Sequence, residues 1–163
     1  MEVYVKRTRM KTIVVAIATL FTTFYYTPSP MLSEVRSLYQ QAPKEKQACV
    51  RLLDLLKDAD EKTKPVLAGY KACATMIMAK HAFNPISKLN YFNKGKNLLE
   101  RSIKQDQNNI ELRFLRFAVQ KNAPSFLGYK DDLAADKQFL EREVATVNDQ
   151  QLKTWIFKEL AKQ

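Results

Sequence analysis

Three glycines, Gly69, Gly95 and Gly128, are all that the 163 residues contain, and they stand too far apart to build the glycine-rich loop that cradles a phosphate. Histidine is scarcer still. His81 is alone, and no Cys, Asp or Glu lies near it at metal-ligand spacing, so a zinc site is not expected. There is no G-x-S-x-G nucleophile elbow and no C-x-x-C pair, which removes the usual signatures of a serine hydrolase and of a thioredoxin-type redox site. The sequence therefore offers no catalytic residue and no cofactor motif, and the expectation is a chain that is not an enzyme. With few glycines and six prolines against many Lys, Leu, Ala and Gln, it also lacks the turn residues and β-branched runs that short strands need. Helices are the expected elements, and the length fits one domain.

What is present begins with charge. The formal net charge is +10. Lys6, Arg7, Arg9 and Lys11 form a cationic patch, and Thr12 to Tyr26 (TIVVAIATLFTTFYY) follows without one charged residue. This is the order of a secretory signal, so residues 1–26 are read as a targeting segment and 27–163 as a single helical domain, exported to a periplasmic or secreted location. Fifteen residues of helix reach about 22 Å. That is short of the roughly 30 Å hydrocarbon core, which disfavours a permanent span. Thr22 to Thr27 offers no small-x-small cleavage site, however, and the alternative is an uncleaved anchor at residues 12–26 holding a structural protein of the cell envelope. Contact with a membrane is expected only in that second case. No cysteine follows the apolar run closely, which argues against a lipid-modified N-terminus.

From Leu32 onward the apolar residues recur at helical spacing. The runs are Val35 to Ala42, Ala48 to Leu56, Val66 to Ile77, Phe92 to Ile103, Ile110 to Val119, Leu133 to Val147, and Leu152 to Leu160. Seven helices are predicted. Thr63 and Ser87 are candidate N-caps, Pro65 suits a first helical turn, and Asn84-Pro85 stops the preceding helix. The segment IELRFLRFAV is apolar on nearly every side, with Ile110, Phe114 and Phe117 on one stripe and Leu112, Leu115 and Val119 on another, which predicts a central helix.

Cys49 and Cys73 lie twelve residues before and after Glu61, so antiparallel pairing of their helices sets them at one height. Two readings stand: a disulfide, if the α-carbons come within about 4.4 to 6.8 Å, or two buried thiols acting as small hydrophobes. Between Lys88 and Lys121 there are eight cations and three anions. Arg113 and Arg116 are three apart and share a helix side, and with Lys121 they are the candidate binding residues, forming a fork for a carboxylate or phosphate. The plainer alternative pairs them with Glu100 and Glu111, or uses them to seal helix junctions on carbonyl oxygens. The loop Asn122 to Tyr129 carries Phe126, Leu127 and Tyr129, either tucked over the core or exposed as a contact site.

The stretch Phe92 to Phe117 resembles the second helix of a tetratricopeptide repeat, its polar D-P-N-N turn and the start of the next repeat, with Gly95 at the small position. Gln107 stands where that turn carries proline, and Phe117 where the family has a small residue. The resemblance implies antiparallel helix pairs, arranged as a short superhelix or a compact bundle, that present a surface to a protein or peptide. The excess positive charge points to an acidic partner. Nucleic acid is not expected, since no recognition motif is present and export would separate the two. The signal-like start, NNIELRFLRFAVQ and the APSFLGY loop are also similar to exported bacterial proteins whose role is unknown, which implies a location and no activity.

Overall fold

The computed structural model describes residues 30–162, so the targeting segment or anchor expected at residues 1–26 lies outside the described residues. Among these there are seven α-helices and no strand. They are α1 (Pro30–Gln41), α2 (Lys46–Leu55), α3 (Pro65–His81), α4 (Pro85–Gln105), α5 (Ile110–Asn122), α6 (Leu133–Glu143) and α7 (Gln150–Ala161). Short 3-10 turns at Ser125–Leu127 and Val144–Thr146 complete the connections. The protein is all-α, packed as successive helix pairs.

The helix starts follow from side-chain chemistry. Pro65 and Pro85 occupy first-turn positions, where a missing N–H costs nothing. Asn84 accepts from the Ile86 N–H at 2.7 Å, Asn109 from those of Glu111 and Leu112, and Asp149 from that of Leu152 at 3.0 Å. Two expected caps are replaced. Asn84 rather than Ser87 opens α4, because Pro85 already adopts helical geometry and moves the boundary back. Lys64 rather than Thr63 precedes α3, and the Thr63 hydroxyl turns back to Asp60.

Two cores share α5. The first holds Val35, Leu52, Leu56, Tyr70, Leu99 and the α5 residues Leu112 and Leu115, all fully buried. The second joins Phe114 and Phe117 of α5 to Leu140, Val144, Leu152 and Ile156. The two stripes read from the sequence are thus the two faces of α5, with Val119 against the first core and Ile110 against the second. Burial on both sides explains why this helix is so apolar.

The most extensive pairing is between α3 and α4. It depends on Gly95, where an added Cβ would stand 2.5 Å from the Ala72 carbonyl oxygen and 2.5 Å from Met76 Cγ. In the α5–α6 connection Gly128 adopts φ +56°, a left-handed turn residue before Tyr129.

Candidate functional site

Two ionic clusters are built on α5. At its first turn Glu111 receives Arg36 of α1 in a two-pronged contact, Nε to Oε1 at 2.8 Å and Nη2 to Oε2 at 2.9 Å. The Tyr70 hydroxyl of α3 donates to the same Oε1 at 2.6 Å. Arg36 Nη1 donates to Asp149 Oδ2 at 2.7 Å and to Gln151 Oε1 at 3.2 Å, while Asp149 Oδ1 caps α7. One guanidinium, only 1% exposed, therefore ties α1, α5 and the start of α7 together. Burial opposes its charge, but the hydrogen bonds and attraction of Glu111 and Asp149 outweigh that and raise its pKa. Burial and the Glu111 carboxylate likewise hold the Tyr70 phenol well above its ordinary value. Arg36 stays a cation and Tyr70 a neutral phenol at neutral pH. The cluster is suited to holding helices and not to moving protons.

The second cluster contains the arginines singled out by spacing. Arg113 and Arg116 do form a fork, and it closes on Asp136 of α6, which is completely buried. Arg116 donates from Nε to Oδ2 at 2.6 Å and from Nη2 to Oδ1 at 2.9 Å, and Arg113 Nε donates to Oδ1. Arg116 Nη1 also reaches Glu100 of α4 at 3.0 Å and Asp132 at 3.1 Å, and the Tyr129 hydroxyl donates to Glu100. Glu100 is thus a partner as its place in the sequence suggested. Glu111 turns to the other cluster. Lys121 caps α7, donating to the Glu159 and Lys162 carbonyl oxygens, which places a cation at the negative end of that helix. All three candidate cations have internal partners.

Cys49 and Cys73 are both buried free thiols, so the disulfide reading is not the arrangement seen; Cys49 Sγ donates to the Ala74 carbonyl oxygen at 3.3 Å. Burial pushes the Cys49 thiol up to about 11 and Cys73 further, so neither is a thiolate at neutral pH. His81 Nε2 donates to the Ala42 carbonyl oxygen at 2.8 Å, joining the ends of α3 and α1. Among the described residues no three His, Cys, Asp or Glu side chains converge as metal ligands. Gln120, fully buried on α5, has a side-chain amide with no hydrogen-bond partner on either its nitrogen or its oxygen.

Surface depressions among the described residues include two of note. One, of about 440 Å³, is an open hollow lined by Asn108, Ile110, Phe139, Arg142, Glu143 and Thr146. The other, of about 180 Å³, lies between α5, α6 and α7, with Phe117, Leu133 and Leu160 as apolar lining and Lys121, Lys137 and Lys162 around it. Comparison with family models, with curated proteins and with solved structures finds no match for the chain.

Arg36 and Asp149 could not be found by sequence reasoning, because a buried pair separated by 113 residues leaves no local pattern. Glu111, Arg113 and Arg116 did leave one. Charges inside an otherwise apolar helix must be paired if the helix is buried on both sides.

Proposed function

We propose that this chain is an exported, non-catalytic helical module that binds a protein or peptide of acidic character. The observation that carries the reading is the cleft between α5, α6 and α7, where an apolar floor meets Lys137, while Lys121 and Lys162 at its rim are held by carbonyl oxygens and by Glu159. At about 180 Å³ it accommodates one anchoring side chain. Small-molecule sites commonly run to about 300–1,000 Å³. A carboxylate flanking the anchored side chain would find Lys137, an exposed cation whose nearest acid, Glu141, is 3.8 Å away. Binding of this kind weakens with salt.

A tetratricopeptide-like character is supported by the close α3–α4 approach at Gly95 and by the polar turn from Asp106 to Asn109 leading into α5. Export is supported by the sequence alone, through the cationic patch and the apolar run that follows it. No described helix is long and apolar enough to cross a membrane.

A photoreactive residue in place of Lys137 tests the binding reading inside cells, with Lys57 as the control position. A discrete adduct at 137, absent at 57 and diminished at raised salt in the isolated envelope, is the expected result. No adduct, or the same adducts at both positions, would overturn it. Mass spectrometry of the cellular protein separates cleaved from anchored forms. A mature start near residues 24 to 31 supports export as a cleaved chain, and an intact N-terminus in the membrane fraction supports the anchored structural protein instead.

A further inference from the structure

Three large apolar side chains project together at the turn between α3 and α4. Phe83 is 97% exposed, Ile86 71% and Leu89 49%. Ile86 and Leu89 share one side of the first turns of α4, and Phe83 immediately precedes them. The turn is well made, since Asn84 caps the helix, so the exposure does not come from a frayed end. Scattered exposed apolar residues are ordinary, but a cluster of them marks a contact surface.

One other connection reaches the same end of the molecule. The α1–α2 turn is fixed there by His81 on the Ala42 carbonyl. The α5–α6 connection lies further along α4, with the Tyr129 ring edge-on to Phe92 at 5.9 Å, the Lys96 ammonium 4.9 Å from its centre and its hydroxyl on Glu100. That connection exposes Phe126, at 86%.

The charge at this end is one-sided. From Ile77 to Asn93, the last turn of α3, the connection and the first turns of α4, the lysines are Lys80 and Lys88 and there is no acidic residue. Lys80 and Lys88, both exposed, flank Phe83. The α1–α2 turn adds Lys44 and Lys46 against Glu45.

We propose that this end of the molecule docks on an anionic lipid surface, with Phe83, Ile86 and Leu89 entering the boundary between headgroups and acyl chains and Lys80 and Lys88 resting on lipid phosphates. A side chain as exposed as Phe83 projects outward, and a protein partner would need a matching recess for it. A bilayer accepts any apolar projection, and its negative surface complements the acid-free tip of the hairpin. The site is separate from the α5–α6–α7 cleft, and its test is independent of that reading.

The full-length chain carrying Phe83→Cys, labelled with an environment-sensitive bimane dye, gives a direct readout, because Cys49 and Cys73 are buried and protonated. A matching label at Lys104→Cys sits about 27 Å further along α4. Vesicles of phosphatidylcholine mixed with phosphatidylglycerol should shift the emission at position 83 to the blue and leave position 104 unchanged. Phosphatidylcholine vesicles alone should do neither. Replacing Lys80 or Lys88 by Gln should lower the partition coefficient roughly fivefold each. Ile86→Ser should lower it roughly tenfold, with circular dichroism unchanged in every variant. Four results would overturn the assignment: vesicle sedimentation without a shift at position 83, which is binding through residues 12–26; an equal shift with neutral vesicles; a shift that grows with protein concentration without lipid, which is contact between two copies; or a shift given by envelope proteins and not by vesicles.

Discussion

Arg36 and Glu111, 75 residues apart, meet through two parallel hydrogen bonds of 2.8 and 2.9 Å in the interior. The pair couples the first described helix to the central one, and Asp149 on the same guanidinium extends the coupling to the last. Breaking such a pair by removing one partner leaves a buried charge uncompensated, at about 3–5 kcal/mol. Arg36→Met and Glu111→Leu should each destabilise by that amount in urea unfolding, and the double variant should lose less than the sum of the two, short of full recovery because Asp149 stays buried without its guanidinium. If the two single effects add in full, the pair is not coupled as the geometry requires.

Gly95 gives a second expectation. In a solvent-exposed helix Gly to Ala gains about 1 kcal/mol. Here the new methyl group meets a backbone carbonyl at 2.5 Å and cannot be relieved by a rotamer change. Gly95→Ala should therefore lower stability, by roughly 1–3 kcal/mol, as overpacking does. A melting temperature equal to or above that of the parent would show that α3 and α4 approach less closely.

Helix number and the central place of α5 were legible because both rest on local periodicity, which survives in the sequence whatever packs against it. The split of α5 into two apolar stripes even anticipated which residues enter which core. Cap positions were legible only in part, since Ser87 and Asn84 are both good caps and the proline between them decided the boundary. The two cysteines were placed on buried helices by their stripes, but whether the sulfurs face each other depends on helix rotation, which spacing along the chain does not encode. The partners of Arg113 and Arg116 lay mostly on α6, beyond any local window. The exposed tip at Phe83 was hidden for another reason: periodicity counts Ile86 and Leu89 as helix-face residues and cannot say that no helix covers them.

Gln120 is a weak point of the interior. A buried amide with neither atom hydrogen-bonded forfeits about 1–3 kcal/mol of solvation. Met has similar length and no such requirement. Gln120→Met should raise the unfolding free energy by roughly 1–2 kcal/mol. A fall in stability would mean that the amide has a partner, such as a buried water, that the substitution removes.

Alkaline pH should find a different weakness. Burial raises the Cys49 thiol from an ordinary 9.0 to about 11, and it raises Cys73 and the Tyr70 and Tyr129 phenols as well. In each case the folded chain keeps a proton that the unfolded chain releases, so the stabilisation is complete below the unfolded value and is lost as pH rises through the folded one. Stability in the presence of a reductant should be flat from neutrality to about pH 8.5 and should then fall toward about pH 11. A displacement of two units corresponds to roughly 2–3 kcal/mol for Cys49 alone. Urea unfolding at about pH 7.5 and about pH 10.5 measures the drop, and Cys49→Ala should make it shallower even though the variant starts from a lower stability. An unchanged slope in that variant would mean that the Cys49 thiol is not what the folded chain protects from ionisation.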